Sequence, residues 1–189
     1  MKRKILSVFT AVILLFVAAA LSSCSGKVSE EEAISEVTRL VKESYELNVI
    51  YFGDGLPYED DGDERNLYAP VAKDAPFVTK EALTYKTRTV FSNDYAASMI
   101  ETAFQGAQDA NGTTALYARY IVSSDGKLTV YKNIEGIEKK VNEYDYSTVL
   151  ITKISKRFIE ANITAKDGEV VEVILINQNG EWRIDSPTY

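Results

Sequence analysis

The stretch Phe158-Ile159-Glu160-Ala161-Asn162-Ile163-Thr164-Ala165 contains a regular alternation of apolar and polar residues. Because successive side chains of a strand point to opposite faces, this alternation predicts a β-strand with one buried face and one wet face. Further strands are predicted at 146–155, 170–176 and 181–185. The turn formers that separate the later segments are Lys166-Asp167-Gly168-Glu169 and Asn177-Gln178-Asn179-Gly180. Together these four segments predict an antiparallel meander.

A hairpin is predicted upstream of the meander. Two runs rich in β-branched and aromatic residues, 116–122 and 127–132, flank the turn sequence Ser123-Ser124-Asp125-Gly126. The earlier part of the chain has a helical pattern instead. Ser29-Glu30-Glu31-Glu32 has the form of a capping box, and apolar residues recur with a helical period from there to about Asn48.

Two shorter helices are predicted between the first helix and the strands. Thr79 is predicted to cap the second helix, and Asn93 or Asp94 the third, which Gly106 closes. Helices followed by antiparallel strands predict a single α+β domain over residues 29–189. We expect its curved antiparallel sheet to wrap around the first helix.

The N-terminal residues predict export and lipid attachment. Lys2, Arg3 and Lys4 precede an uncharged, almost wholly apolar run over 5–21, the pattern of a secretory signal. The sequence Leu21-Ser22-Ser23-Cys24 resembles a lipobox. We therefore expect a lipoprotein signal peptide at 1–23, a lipidated tether at 24–28, and an extracytoplasmic protein anchored to the bacterial membrane through Cys24. The alternative is an uncleaved membrane anchor with an incidental cysteine.

Composition narrows the classes of function. The chain has 21 basic and 28 acidic residues, and loss of Lys2, Arg3 and Lys4 would leave a net charge of −10. Such an acidic domain is poorly suited to nucleic acid, which requires phosphate neutralisation. There is no histidine, and the single cysteine is assigned to lipid. Histidine-based catalysis and histidine metal sites are therefore excluded. We expect a protein that is not an enzyme and that uses no cofactor or metal.

Four short motifs carry a family resemblance. They are Tyr51-Phe52-Gly53-Asp54-Gly55, Thr79-Lys80-Glu81-Ala82-Leu83, Gly126-Lys127-Leu128-Thr129-Val130 and Gly180-Glu181-Trp182-Arg183-Ile184-Asp185. The layout of helices and strands resembles the cystatin-like or NTF2-like architecture. The motifs are similar to those of the bacterial DL-endopeptidase inhibitor family. That resemblance implies inhibition of a cell-wall NlpC/P60-type cysteine endopeptidase by covering its active-site cleft. The lipid anchor departs from the freely secreted form usual in that family.

The resemblance suggests a role for the segment 51–78, which has little periodicity and is therefore a candidate functional loop. Five acids would present negative charge to a basic groove: Glu59, Asp60, Asp61, Asp63 and Glu64. Tyr51, Phe52 and Tyr58 would supply apolar anchors. In the alternative interpretation, Tyr51 and Phe52 seal the end of the first helix in the core and the acids are merely solvated. A calcium loop is disfavoured because Pro57 would occupy its first ligand position.

Two other functions remain open from the residues. One is a lipoprotein that binds a small molecule or envelope ligand in a pocket between the sheet and the first helix. The other is an enzyme of the ketosteroid-isomerase kind, for which Asp145 or Glu160 would have to point into the fold. Trp182 is predicted to lie in the core.

Overall fold

The computed structural model describes residues 28–60, 62, 63, 65–108, 114–133 and 139–189. It contains three helices in this part of the chain, α1 (Glu30–Phe52), α2 (Lys80–Val90) and α3 (Asn93–Gln105). All three predicted helices are confirmed. The first ends four residues later than predicted, because nothing before Gly53 interrupts it. The Gly53 amide donates to the carbonyls of Asn48 and Val49 and ends the helix.

Side-chain caps begin each helix. Ser29 Oγ accepts from the Glu32 amide at 3.1 Å, and Thr79 Oγ1 accepts from the Ala82 amide at 3.3 Å. The third cap is Ser92, so the prediction of Asn93 or Asp94 was wrong by a residue or two. Ser92 Oγ accepts from the Tyr95 amide and also donates to the Asp185 carboxylate, which ties the start of α3 to the last strand.

The predicted meander is present as a four-stranded antiparallel sheet. Its strands are β6 (Tyr144–Ile154), β7 (Phe158–Ala165), β8 (Val170–Gln178) and β9 (Glu181–Ile184), paired in that order. The register between β6 and β7 shifts twice, before Leu150 and before Lys153. Such irregularities bend a strand and increase its twist. Ile159, Ala161 and Ile163 of β7 are fully buried, as their alternation predicted.

A second sheet was not predicted. It has the order β1-β5-β4, with β1 (Tyr68–Pro70), β4 (Tyr120–Val122) and β5 (Leu128–Tyr131). β4 and β5 are the predicted hairpin, but in the described residues they pair with β1 and not with the meander. Two further short strands, β2 (Ala107–Gln108) and β3 (Thr114–Leu116), pair with each other. The chain is therefore α+β, with more than one sheet.

The core lies between the helices and the meander. One face of α1 is fully buried against it, including Ala33, Val37, Leu40 and Val41. Each buried aliphatic side chain of Val or Leu size contributes about 1.5–3 kcal/mol relative to its exposed state. Trp182 belongs to the same cluster and is buried, as predicted.

The last residues of the chain are held against α1 by buried polar groups. Asn48 Nδ2 donates to the Thr188 carbonyl at 2.8 Å and to Thr188 Oγ1 at 2.9 Å. The Tyr144 hydroxyl donates to the same carbonyl at 3.1 Å. The rings of Phe52 and Tyr189 lie 4.3 Å apart. This attachment was not predicted, since its partners are some 140 residues apart in sequence.

The β4–β5 turn allows a prediction about pH. Asp125 Oδ1 accepts from Ser123 Oγ at 2.5 Å, and Lys127 lies nearby. The hydrogen bond from Ser123, followed by Lys127, lowers the pKa of Asp125 to about 2. A depressed folded-state pKa stabilises the hairpin above the ordinary value near 3.8, and this contribution is lost as the pH falls towards 2. We expect Ser123→Ala to raise the Asp125 pKa towards 3.8, measured by carboxyl carbon NMR. An unchanged pKa would contradict this cause.

Candidate partner-binding surface

Tyr51 does not reach the surface. It is 2% exposed, and its hydroxyl lies 2.8 Å from Thr87 Oγ1. Burial raises the pKa of the Tyr51 hydroxyl, so this side chain stays neutral. The prediction that Tyr51 is a partner-binding anchor was therefore wrong. The alternative interpretation holds for this residue: Tyr51 closes the end of α1 in the core, while Phe52 is half-buried beside Tyr189.

The segment after α1 is held by a buried arginine. Arg119 is 1% exposed, and its Nη2 donates to the Gly53 carbonyl at 2.8 Å. Gly55 has a φ of +84° and packs directly on the same guanidinium. The neighbouring Tyr120 hydroxyl donates to the Ile50 carbonyl at 2.7 Å and accepts from the Leu56 amide at 3.0 Å. Arg119, just before β4, and Tyr120, its first residue, thus hold the backbone of the segment that leads from α1 to Tyr58.

We call residues 59–64 the acidic loop. Its described carboxylates are partly neutralised by cations of this chain. Glu59 lies 4.0 Å from Lys73 Nζ, Asp60 lies 3.5 Å from Lys132 Nζ, and Asp63 pairs with Arg65 at 2.7 Å. The hydrogen bond from Arg65 lowers the pKa of the Asp63 carboxyl. Exposed ion pairs of this kind are weak, so the cations of a partner can compete for these carboxylates. The predicted acids Asp61 and Glu64 lie outside the described residues.

Aromatic and apolar side chains, most of them at least partly exposed, lie on one face of the small sheet and next to it. Tyr117 stacks on Tyr131 with ring centroids 5.1 Å apart, and Tyr68 lies 5.2 Å from Tyr131. Tyr117 is 52% exposed and Leu67 is 50% exposed. Ile121 of β4 is exposed as well and pairs with Thr129, which shares a strand face with Tyr131. Tyr131 itself is buried beside the two other tyrosines. We use the name tyrosine face for Tyr68, Tyr117, Ile121 and Tyr131, together with Leu67, the exposed residue directly before β1.

The acidic loop and the tyrosine face are contiguous. Lys132 follows Tyr131 directly, and its amide donates to the Leu67 carbonyl at 2.9 Å. Its Nζ donates to the Asp63 carbonyl at 2.9 Å. Tyr58 is exposed and forms an antiparallel bridge with Val71, just beyond β1. The structure therefore places the predicted residues Tyr58, Glu59, Asp60 and Asp63 beside an aromatic surface.

The members of the tyrosine face were not predicted from the sequence. Tyr117 and Tyr131 lie near the two ends of the predicted hairpin, where strand propensity explains a tyrosine equally well. Leu67 lies in the aperiodic segment. The pairing of the two hairpin strands could have indicated the face. The register that places Tyr120 opposite Val130 also brings Tyr117 close to Tyr131. The third strand that completes the face gave no such signal.

The two carboxylates considered for catalysis lie on the outer side of the meander. Asp145 is exposed and accepts from the amide and the hydroxyl of Ser147, which lowers the pKa of its carboxyl. Glu160 lies 3.4 Å from Lys153 Nζ, on the strand face opposite Ile159 and Ala161. Neither residue therefore points into the fold, as the enzyme interpretation would require, because the inward positions of these strands hold apolar side chains.

The signal segment 1–23, Cys24 and the tether up to residue 27 lie outside the described residues. In the part of the chain that the structure describes, no helix is long and apolar enough to span a bilayer.

No protein-family model matches this sequence, and no curated protein matches it. Membership of the DL-endopeptidase inhibitor family therefore stays a prediction, as does the cystatin-like or NTF2-like fold.

Proposed function

We propose that this protein is a membrane-anchored extracytoplasmic binding protein that inhibits a cell-wall NlpC/P60-type DL-endopeptidase. The observation that supports this proposal is the contiguity of the tyrosine face and the acidic loop. An exposed aromatic face with a charged rim is the composition expected of a protein-binding surface, since tyrosines are enriched in interfaces and in their hot spots. The occupant of such a face is a partner with a basic, partly apolar groove.

The two parts of the surface would contribute differently to binding. Tyr117 and Leu67 are about half exposed and would lose that exposure under a partner, which contributes about 25 cal/mol per Å² of apolar area buried. Glu59 and Asp60 lie at the rim and are exposed. Rim charges mainly accelerate association and align the partner. Binding should therefore depend strongly on the aromatic side chains and more weakly on the acids, with the effect of the acids reduced by salt.

The proposed anchor determines where this binding takes place. A tether of residues 24–28 would span at most about 17 Å when fully extended. The helix α1 begins immediately after its N-cap, Ser29. A domain on so short a tether remains next to the membrane, so the inhibited enzyme would be one that acts on the membrane side of the wall.

The cystatin-like or NTF2-like fold is part of the same proposal. A long α1 packed on a bent four-stranded antiparallel meander supports it. The buried Trp182 on the last strand agrees with the sequence motif that suggested the fold. The small sheet β1-β5-β4 would then be an addition that carries the binding surface.

The test is a pull-down from envelope extract with the soluble domain from residue 27 onward. We expect the wild-type domain to retain a NlpC/P60-type cysteine peptidase. The variant Leu67→Ser with Tyr117→Ser should bind it at least tenfold more weakly. The matched control is Leu150→Ser with Val170→Ser, because these two side chains are exposed apolar residues of the other sheet. The control should bind like wild type.

Two outcomes would contradict the proposal. Recovery of no peptidase would remove the proposed partner, and equal losses in the two double variants would remove the tyrosine face as the site. A third variant, in which the five acids of 59–64 become serine or asparagine, should slow association at low salt. It should approach wild type at high salt, because screening removes the contribution of exposed charges.

A further inference from the structure

The turn between β8 and β9 has an uncommon backbone conformation. It consists of two residues, Asn179 and Gly180, and the strands pair directly on either side of it, with Gln178 opposite Glu181. The φ angles of the two turn residues are +57° and +91°. Two positive φ angles in succession are those of the type I′ hairpin turn, which strongly prefers the sequence Asn-Gly. Among the described residues other than glycine, Asn179 alone has a positive φ.

The same pair of residues is chemically labile, since asparagine is one of the thermolabile residues of proteins. The Gly180 backbone nitrogen, once it has lost its proton, can attack the side-chain Cγ of Asn179. A bond forms between that nitrogen and Cγ, and the Cγ–Nδ2 bond breaks. The departing NH2 group takes up a proton through water and leaves as ammonia, which closes a five-membered succinimide. Water then opens the ring at one of its two carbonyls and yields either aspartate or isoaspartate.

The surroundings of the turn permit this ring closure. Asn179 and Gly180 are both exposed to water. Nothing lies within 4 Å of the position that a Cβ of Gly180 would occupy, so no side chain hinders the attacking nitrogen. The reacting groups belong to adjacent residues, so no distant contact has to form first. The only co-reactant is water, which reaches the turn freely.

One hydrogen bond opposes the reaction. The Gly180 amide donates to Oδ1 of Asn177 at 3.0 Å. The backbone of Asn177 is itself held, since its amide donates to the Arg157 carbonyl at 2.8 Å and it lies opposite Trp182 in the sheet. The bond to Oδ1 keeps the proton on the nitrogen that would have to lose it. Because a hydrogen bond of ordinary net strength must break first, the attack is slowed about threefold to tenfold.

We propose that Asn179 is a site of spontaneous deamidation and that Asn177 sets its rate by holding the Gly180 amide. The carbon attacked belongs to Asn179, the nucleophile to Gly180, and the restraint to Asn177. The site is independent of the endopeptidase proposal, because it lies in the meander and needs neither the tyrosine face nor the lipid anchor.

Isoaspartate at this position would weaken the end of the meander. It adds one carbon to the main chain of a two-residue turn, and the length of the turn fixes the register of the strands that follow it. The buried side chain of Trp182 depends on that register. So does Gln178, whose Oε1 accepts from the Asn93 amide at 3.1 Å at the start of α3. Deamidation therefore limits how long the β8–β9 hairpin keeps its contact with α3.

The experiment follows the conversion of Asn179 by mass spectrometry. The full-length chain in detergent is incubated in mildly alkaline buffer and digested with trypsin at intervals. The peptide 167–183 is then sequenced, which separates this site from the other Asn-Gly pair, at 111–112, outside the described residues. We expect native Asn177→Ala to convert at residue 179 about threefold to tenfold faster than wild type. Asn177→Asp keeps an acceptor oxygen and should convert no faster than wild type.

Two controls separate the hydrogen bond from other effects. Asn162→Ala changes an asparagine of β7 that pairs with Leu150 and Glu172, away from the turn, and should convert at the wild-type rate. In guanidinium chloride that unfolds the chain, wild type and Asn177→Ala should convert equally fast, because the bond exists only in the folded chain. Equal native rates for wild type and Asn177→Ala would overturn the role of Asn177. An intact Asn179 in native Asn177→Ala, after the unfolded chain has converted completely, would overturn the site itself.

Discussion

Replacement of Gly55 by alanine is expected to lower the free energy of unfolding by about 3 kcal/mol. Gly55 has a φ of +84°, which L-residues adopt at a cost. A methyl group there would also lie 2.3 Å from Arg119 Nη2. Arg119 cannot retreat cheaply, because it is buried and its Nη2 is bound to the Gly53 carbonyl. Moving it would leave the Arg119 Nη2 donor and the Gly53 carbonyl without partners, at about 1–3 kcal/mol.

Gly126→Ala is the matched control for this prediction. Gly126 has nearly the same φ, +82°, but nothing lies within 4 Å of an added methyl group. Gly126→Ala should therefore lower the free energy of unfolding by only about 1 kcal/mol, which is the cost of placing an L-residue at a positive φ. Both variants are compared with wild type by urea denaturation. Equal losses of stability would show that the contact with Arg119 contributes nothing.

The same variant is expected to affect the binding surface. The turn at Gly55 leads through Pro57 to Tyr58, and Arg119 is two residues from Tyr117. The intervening Ala118 carbonyl accepts from the Tyr68 hydroxyl at 2.8 Å. Displacement of Arg119 should therefore shift Tyr68 and Tyr117 together. Partner binding should weaken in Gly55→Ala but not in Gly126→Ala, under conditions where both variants are folded.

Asn48→Ala is expected to cost about 2 kcal/mol of stability. Asn48 is buried, and its side chain supplies two hydrogen bonds to Thr188. Alanine would remove both bonds and leave a cavity next to Ser44, whose hydroxyl also contacts Thr188. The gain in helix propensity, about 0.6 kcal/mol, offsets only part of this loss. Thermal and urea unfolding measure the difference.

Glu46→Ala is the control on the same helix. Glu46 is exposed, so its replacement should change stability by less than about 0.5 kcal/mol. Hydrogen exchange adds a local readout, because the residues around Thr188 should lose protection in Asn48→Ala alone. If both variants unfolded at the same urea concentration, the segment 186–189 would not be held by Asn48.

Periodic features of the fold were predictable from sequence. The alternation around Ile159 and Ile163 requires a buried face, and a shift by one residue would bury Glu160 and Asn162 instead. Ser29 and Thr79 are polar residues directly before apolar periodic runs, which is the local signature of a cap. These predictions depend only on neighbours in sequence, and the structure confirms them.

The features that were missed depend on contacts distant in sequence. Strand β1 is three residues long and contains Pro70, and a proline weakens any prediction of a strand. It forms at the sheet edge because β5 offers it a partner 59 to 63 residues later. Contacts distant in sequence also explain why Tyr51 was wrongly predicted to be a surface residue and why the exposed Tyr117 was missed. Helix α1 continued past Asn48 and carried Tyr51 into the core, while Tyr117 stacked outside on Tyr131.

The candidate site was predictable in part. The acids of the loop were identified from composition, and the described ones lie beside an exposed aromatic face, as an interface would require. Their pairing with Lys73 and Lys132 was not visible in sequence, since these two cations are distant from the acidic run, whereas Arg65 directly follows it. The face itself required the second sheet, and no local pattern predicted that sheet.

The central claim is tested most directly by inhibition of a purified NlpC/P60-type endopeptidase acting on peptidoglycan. The soluble domain from residue 27 onward is titrated into the reaction, and the rate of stem-peptide cleavage is measured. We predict that cleavage falls to background once the domain is in excess over the enzyme. Leu67→Ser with Tyr117→Ser should require at least tenfold more protein for the same effect. A cleavage rate that stays unchanged with the wild-type domain in large excess would contradict the proposed function.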